Sequence, residues 1–595
     1  MDSQLVEMCM ESATESLDAV EAWRRQRRTL EMMPSHLAEA LLHRLLRRRL
    51  LFPSLLEVFK FCVDGIDLRG ESYVDAEWMA YIGGFEHLHS LNLSDCNKIN
   101  SSAIWAITGM TNLKELDLSR CSKITDAGVR HLTTIPSLEK LWIPETGVTA
   151  DGVILLTSLT NLSLLDLGGL PVSDSALCNL KVLRKLQHLD IWGSEVSNKG
   201  ASHLKWFPKL SSLNLAWTKV TMFPGLPSLA CLNMSNCTIH SIFEGEGQQA
   251  LLTKLILSGA TIKDVSEAFL HLETSSLSHL DLSNSSLNSF CFLPYMRMIS
   301  DLDLSGTSAG DESVEHIAFV GQNLRHLNLS RTKLSSAGLG TLAGFVPNLE
   351  TLLLSYTAID DSAIPFMSIM PLLKYINMSG TNIRGISNEM DSDPNCISSL
   401  SGLTSLEHLE RLDLEETRIK DSALAPLPSF RKLSHLFLRS GSLADTTLHQ
   451  LSSITSLVTL GIRDGVLTNT GIDVFNPPPP MKILDLRGCW LMTEDALLSF
   501  QQRHPQIEVR HELLSIALVK RLSVSSPLSQ ATPWTKLYKN KKGVSSTSPL
   551  RSIRDGFLDQ RLKYTNEELL AMRFDSTSIS RDNVVQIPHE LANDG

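Results

Sequence analysis

Apolar residues recur along the chain at a fixed local spacing. Leu113, Leu116 and Leu118 stand at positions i, i+3 and i+5, and polar residues alternate with the last two leucines. Such alternation predicts a short strand with one buried face. Thr125 and Asp126 follow, and these residue types favour the first position of a helix. The segment is therefore predicted to form one short strand and one short helix.

The same pattern starts eighteen times, mostly at intervals of 24 or 25 residues: at 63, 88, 113, 138, 162, 186, 210, 229, 252, 277, 299, 324, 349, 373, 409, 433, 457 and 481. It resembles the leucine-rich repeat, a unit that cannot bury its apolar face alone and must stack on its neighbours. We therefore predict an α/β leucine-rich-repeat solenoid, or horseshoe, over residues 63–511. Residues 1–62 are predicted to form a helical N-terminal cap, and residues 512–595 a flexible basic linker and tail.

Two intervals depart from the regular length. The interval 210–229 is short and contains Pro224 and Pro227, which argue against a full helix. The interval 373–409 is long, and its excess lies in a polar stretch at 385–399 that is predicted to be a loop. The ninth position of most repeats is Cys, Thr or Ser, as in Cys121. These side chains are expected to satisfy backbone groups between turns of the solenoid and not to act as catalysts.

Composition narrows the class of protein. The chain has 595 residues, 43% of them hydrophobic, and a net charge of −11, which excludes a generally basic nucleic-acid binder. Its ten cysteines show no C-x-x-C spacing, as expected for reduced intracellular thiols. The acidic start is unlike a signal peptide, and no apolar run is long enough to span a bilayer. We therefore expect a soluble cytoplasmic protein.

Enzyme signatures are missing from the sequence. We find no phosphate-binding loop, dinucleotide-binding glycine pattern, metal-ligand spacing or nucleophile elbow. The expectation is a protein without catalytic activity, cofactor or metal.

The first 60 residues allow two interpretations. Their apolar residues follow helical spacing, and Pro34 is predicted to lie in the first turn of the second helix, so they can form the cap that a solenoid requires. The alternative is a binding segment, because Leu5-x3-Cys9 and Pro34-x2-Leu37 resemble the elongin-C-binding and cullin-binding boxes of VHL-box substrate receptors with leucine-rich repeats. That resemblance implies a substrate receptor of a cullin-type ubiquitin ligase, in which Leu5, Cys9, Pro34 and Leu37 contact elongin C and a cullin.

One strand position of each repeat is predicted to face the concave side of the solenoid, because side chains alternate along a strand. Eight of these residues are Asp, five are Asn and none is Lys or Arg. They either attract a basic partner or simply solvate an exposed strand face. In order, the residues are Asp67, Asn92, Asp117, Trp142, Asp166, Asp190, Asn214, Asn233, Ile256, Asp281, Asp303, Asn328, Leu353, Asn377, Asp413, Phe437, Gly461 and Asp485.

Three tryptophans are candidates for binding a protein partner. Trp142, Trp192 and Trp217 are expected near one another on the inner face of neighbouring strands. Exposed tryptophans are favoured anchors at protein interfaces. The other interpretation is that they are tucked against adjacent turns.

The repeat pattern ends after residue 518. In residues 520–563, ten basic residues accompany only Asp555 and Asp559, which predicts a flexible linker. Non-specific contact with RNA phosphates is an alternative role for this charge. Thr565 and Glu568 then form a capping box that predicts a short helix within 564–573.

The start of that helix carries a docking motif. Tyr564, Leu569 and Leu570 have the Tyr-x4-Leu-Leu spacing, and the segment resembles the peptides that bind the cap-binding translation initiation factor 4E. Two aliphatic side chains would enter an apolar groove while the tyrosine hydroxyl meets a polar group. The alternative is a helix that docks on the last turn of this protein's own solenoid.

The whole layout resembles the CERES-like plant leucine-rich-repeat proteins that interact with factor 4E. The resemblance implies a non-enzymatic adaptor that modulates translation initiation and joins 4E to other initiation factors. It implies no membrane partner and no specific nucleic-acid partner.

Overall fold

The computed structural model describes residues 2–25, 33–222, 224–245, 250–386 and 398–514. The chain divides into two compact units, residues 1–376 and 377–595. Parallel strands and short helices alternate within each unit, so each is a leucine-rich-repeat solenoid, as predicted. The basic linker and the proposed 4E-binding residues Tyr564, Leu569 and Leu570 lie outside the described residues. The division of the chain at residues 62 and 511 stays a prediction.

Each strand of the first unit begins two residues after a predicted repeat start and pairs in parallel, in register, with its neighbours. A separate pair, Thr238–Ile239 and Thr261–Ile262, is also parallel. The repeat strands are Gly65–Asp67, Ser90–Asn92, Glu115–Asp117, Lys140–Trp142, Leu164–Asp166, His188–Asp190, Ser212–Asn214, Cys231–Asn233, Lys254–Ile256, His279–Asp281, Asp301–Asp303, His326–Asn328 and Thr351–Leu353. One more strand, Tyr375–Asn377, lies at the division between the units in sequence.

Short helices connect these strands, and the described residues between Asn214 and Cys231 contain none, as Pro224 and Pro227 predict. The α-helices of this unit are Asp2–Ala13, Leu17–Arg24, Ser35–Arg47, Ala76–Ile82, Asp126–Leu132, Ala150–Leu155, Asp174–Asn179, Asn198–Ala201, Val265–Ala268, Val314–Ala318, Ser336–Ala343 and Ile364–Met367. The 3-10 helices are Pro53–Phe59, Ala103–Ile107, Leu156–Ser158, Leu180–Val182, Leu204–Trp206, Leu293–Tyr295, Asp311–Ser313, Gly321–Asn323 and Asp361–Ala363.

The second unit continues the same alternation. Its strands are Arg411–Glu415, His435–Arg439, Thr459–Arg463, Ile483–Asp485 and Glu508–Arg510. Its helices are Asp445–Leu451, Asn469–Val474 and Glu494–Arg503, with 3-10 helices Ser399–Ser405, Asp421–Leu424 and Leu427–Ser429. The last strand pairs in parallel with the one before it. Most of the predicted polar loop, residues 387–397, lies outside the described residues.

The leucines of the repeat form the core. Leu113, Leu116 and Leu118 have no exposed surface, and the equivalent residues of the other repeats are likewise buried. The thiol of Cys121 donates a hydrogen bond to the carbonyl of Leu93 in the preceding repeat at 3.1 Å. Burial raises its pKa to about 11, so it stays a neutral thiol. These contacts agree with the structural role predicted for the ninth position.

The helix starts are held between repeats as well as within them. Thr125 is the N-cap of helix Asp126–Leu132, but its side chain makes no capping hydrogen bond. Instead, the carboxylate of Asp126 accepts hydrogen bonds from the N–H (2.8 Å) and hydroxyl (2.7 Å) of Thr149, the N-cap of the next helix. Asp174 and Ser197 repeat this arrangement at the same two distances. In both pairs, one repeat therefore holds the helix start of the next.

The N-terminal helices differ from the prediction in two details. The predicted first helix is two helices, because Ser16 accepts the N–H of Ala19 and starts a new one. Pro34 precedes the helix Ser35–Arg47 as its N-cap and does not lie in its first turn. An extended ψ at Pro34 places the ring before the helical backbone begins.

The helix Ser35–Arg47 packs against the first strand of the repeats. Leu41 and Leu45 are buried, and Glu39 accepts a hydrogen bond from the N–H of Gly65 in the first strand at 3.2 Å. The first helix lies further out and is held by Arg44, which contacts Glu7 at 2.7 Å.

Candidate functional site

The Asp and Asn residues of the concave face have a structural task. The Oδ1 atoms of Asp166, Asp190 and Asn214 each accept the N–H of the residue two positions later, at 2.9, 3.0 and 3.0 Å. This hydrogen bond closes the turn that ends each strand. Only a short side chain with an acceptor oxygen can make it, which explains why Lys and Arg are absent from this position. We call this row of Asp and Asn residues the Asp ladder. Its first role is to form the turns that end the strands.

In the second unit, arginines neutralise part of the charge of the Asp ladder. Asp485 is 2% exposed, and its carboxylate accepts hydrogen bonds from Arg463 and Arg487, both at 2.7 Å. The arginines were overlooked because they lie two positions further along the chain from the residues that the sequence analysis considered. Their charge neutralises that of Asp485.

In the first unit, two neighbouring carboxyls of the ladder are poorly solvated. Burial raises the pKa of Asp166 to about 6, partly opposed by the hydrogen bond from Gly168, and the charge of Asp190 raises it further. Burial also raises the pKa of Asp190, although Trp192 and Asn214 donate hydrogen bonds to it. A partner that brought positive charge or N–H donors to this pair would stabilise its ionised form.

The three tryptophans occupy three different positions of their repeats. Trp142 ends a strand, half-buried, as predicted. Trp192 and Trp217 lie beyond their strands, in the turns, so their predicted strand placement is wrong. The indole of Trp192 covers Gly168 so closely that an added Cβ would overlap its Nε1. Trp217 has a φ of 59° and is 64% exposed.

These positions divide the tryptophans by role. Trp192 matches the interpretation that the ring is tucked against an adjacent turn. Trp217 offers the largest free aromatic surface of the three. Binding of a partner by Trp142, Trp192 and Trp217 stays a prediction.

A histidine–aspartate cluster on the concave face was missed by the sequence analysis. His279, Asp301 and His326 are in register on three adjacent strands and line a cavity of about 190 Å³. Asp301 Oδ1 lies 3.9 Å from a ring nitrogen of each histidine. These residues face the same side as the Asp ladder, two positions earlier, so strand alternation could have revealed them. Within the described part of the chain, no group of three or more His, Cys, Asp or Glu side chains could hold a metal ion.

The proposed elongin and cullin contacts are mostly accessible. Leu5 is 63% exposed, Cys9 and Pro34 are exposed, and Leu37 is half-buried. Their role stays a prediction.

None of the helices in the described part of the chain has both the length and the apolar character needed to cross a bilayer.

The fold defines the class of protein: a leucine-rich-repeat scaffold. Such scaffolds generally mediate protein–protein interactions and are typically not enzymes. A family model described as "Leucine Rich repeat" matches residues 109–132 and 322–343. No curated protein matches the sequence.

Solved structures of several leucine-rich-repeat proteins are similar to the chain. The protein LIC12759 of Leptospira interrogans is 18% identical, with 69% of this chain and 98% of that chain covered and a TM-score of 0.45. The plant peptide hormone receptor RGFR1, solved in complex with RGF2, is 15% identical, with 69% and 78% covered and a TM-score of 0.32. TLR13 in complex with ssRNA13 is 15% identical, with 76% and 77% covered and a TM-score of 0.43.

Proposed function

We propose that the protein is a non-enzymatic cytoplasmic adaptor that modulates translation initiation. Tyr564, Leu569 and Leu570 bind the cap-binding translation initiation factor 4E. The solenoid recruits further proteins, including other initiation factors, on the concave face of its first unit. The observation that carries the proposal is the Tyr-x4-Leu-Leu motif placed after the last repeat.

The chemistry of the motif supports a docking peptide. The capping box of Thr565 and Glu568 predicts a helix that begins immediately after Tyr564 and leaves the tyrosine in extended chain. Leu569 and Leu570 would then project from the first helical turns. Two adjacent aliphatic anchors on a short helix suit an apolar groove on a separate protein.

The concave face and the turn that carries Trp217 support recruitment. Trp217 offers an exposed aromatic ring, and Asp166 and Asp190 offer two carboxyls whose ionisation is disfavoured by burial. A partner with basic and apolar side chains would gain from both features.

A ubiquitin-ligase substrate receptor is the second candidate. The observation that favours it is the surface of the first helix, where Leu5, Met8 and Cys9 are exposed although a simple cap would bury them. In this function, Leu5 and Cys9 contact elongin C, Pro34 and Leu37 contact a cullin, and the solenoid binds the substrate.

Retention on cap resin tests the adaptor. Cell lysates containing the wild-type chain and the Tyr564→Ala/Leu569→Ala/Leu570→Ala variant are passed over immobilised cap analogue, and the bound protein is quantified. The wild type is retained through 4E and the variant is lost, because the anchors of the docking helix are gone. The matched control is Trp217→Ala, which changes an exposed aromatic residue elsewhere and retains binding. Equal retention of the triple variant and the wild type contradicts the proposal.

Affinity purification separates the two candidate functions. Leu5→Ala/Cys9→Ala leaves the recovery of 4E unchanged if the chain is the adaptor. Co-purification of elongin C and a cullin with the wild type, and its loss in this variant, would instead establish the receptor.

A further inference from the structure

Large apolar side chains project into solvent at or just after the helical segment of five consecutive repeats of the first unit. They lie 24 to 26 residues apart, in or beside the loop that returns from each helical segment to the next strand. Their exposed fractions range from 49% to 77%. We name this row the edge stripe; it consists of Leu270, Tyr295, Phe319, Phe345 and Ile369.

The stripe is large enough to form an interface. Met298 and Leu372, also exposed, adjoin it in the same loops. At the observed exposed fractions, these side chains offer roughly 700–900 Å² of surface per copy, and a standard stable interface buries about 800 Å² per partner. Exposed apolar surface of this extent is typical of interaction sites. The stripe therefore needs a partner surface of similar extent.

A groove interrupts the stripe between Leu270 and Tyr295. The repeat that contains Tyr295 is short and has only the 3-10 helix Leu293–Tyr295, so it leaves space against the preceding helix Val265–Ala268. The space has a volume of about 520 Å³. Phe269 and Phe292 line it and stack with their ring centres 4.2 Å apart. It can receive an apolar side chain from a partner.

The area and the order of the stripe residues suit a second copy of this chain as the partner. The stripe reads aliphatic, aromatic, aromatic, aromatic, aliphatic, and this order is unchanged when it is reversed. A two-fold axis at Phe319 would place Phe319 on its own copy, Tyr295 on Phe345, and Leu270 on Ile369, so that side chains of the same type meet. A two-fold interface brings the same patch of both copies face to face in this way.

We propose that the edge stripe is a homodimer interface with a two-fold axis at Phe319. The two copies run antiparallel along the stripe, and Ile369 of each copy enters the groove beside Leu270 of the other. This surface lies on the solenoid and makes no use of the tail motif, so the dimer does not depend on binding of 4E.

Sedimentation velocity of the purified 595-residue chain tests the interface. The wild type is dimeric at micromolar concentration, and Phe319→Glu weakens the dimer by roughly 100-fold or more, because each dimer loses two central aromatic contacts and gains two facing charges. The matched control is Trp105→Glu, which places the same charge at a residue that is 67% exposed outside the stripe and remains dimeric. A monomeric wild type, or a dimer unaffected by Phe319→Glu, overturns the proposal.

Cysteine cross-linking tests the antiparallel register. In a background in which the exposed Cys9 and Cys291 are replaced by Ser, together with Cys396 outside the described residues, Phe319→Cys alone forms a disulfide-linked dimer on oxidation, because the axis brings this position to its own copy. Tyr295→Cys forms one only when mixed with Phe345→Cys. Efficient linkage of Tyr295→Cys to itself, or growth of oligomers beyond the dimer, overturns the two-fold arrangement.

Discussion

Neutralising Asp485 is the sharpest test of the packing in the second unit. Its carboxylate lies between Arg463 and Arg487 and is almost completely buried. Burial alone would raise its pKa, but the hydrogen bonds from Arg487 and Arg463 outweigh this effect and lower the pKa to about 2. The substitution Asp485→Asn keeps the shape of the side chain and removes its charge.

The shift in pKa sets the size of the effect. A fall from 3.8 to about 2 corresponds to about 2 kcal/mol of folding free energy contributed by the ionised Asp485. Because the folded pKa is the lower one, this contribution is complete above about pH 5 and is lost as the pH falls through the folded pKa. At pH 7, Asp485→Asn is expected to unfold locally about 30-fold more readily than the wild type.

Hydrogen–deuterium exchange measures this change in local unfolding around Asp485. Amides of the strands Thr459–Arg463 and Ile483–Asp485 are compared between the wild type and Asp485→Asn at the same pH, from 7 down to 2.5. The difference is expected to be largest at pH 7 and to shrink steadily below pH 4. The matched control is Asp67→Asn, at the equivalent position of the first repeat, where the carboxylate is exposed and accepts only a backbone N–H. Equal protection at pH 7, or a difference that does not change with pH, would refute the reasoning.

Two further predictions concern the repeats. Gly471→Ala places a methyl group against the Asp445 carboxylate, which holds the start of helix Asn469–Val474. The substitution should lower the free energy of unfolding by roughly 1–3 kcal/mol in denaturant titrations. Gly344→Ala, with no atom within 4 Å of the new Cβ, is the control and should not lower it. Asp166→Asn should be more stable than the wild type at pH 8 and equal to it at pH 4, because a raised pKa means that stability falls as the pH rises through about 6. A pH-independent difference would contradict the second prediction.

The positions of the strands could be predicted because a strand with one buried face needs an apolar residue at every second position. A leucine between Glu115 and Asp117 must face the core, and every repeat repeats that constraint, so the strands begin where the pattern places them. The alternation ends with the strand, however. Trp192 and Trp217 follow the third strand residue, in turns where the chain reverses direction, so extrapolating the alternation misplaced them.

Contacts between repeats were also beyond the sequence analysis. Asp126 accepts the hydrogen bond from the N–H of Thr149, which lies 23 positions later in the chain. From the sequence alone, Asp126 is expected to stabilise only the start of its own helix. The edge stripe has the same spacing as the core leucines. Only the structure distinguishes the exposed Phe319 from a buried core position.

The most direct test of the central claim is the affinity of the purified chain for purified factor 4E, measured by isothermal titration calorimetry. The wild-type chain is expected to bind with one site per protomer. Tyr564→Ala/Leu569→Ala/Leu570→Ala is expected to weaken binding by roughly 100-fold or more, because all three anchors of the docking segment are removed. Trp217→Ala is expected to bind as the wild type does. No binding by the wild-type chain, or equal affinity in the triple variant, would contradict the account.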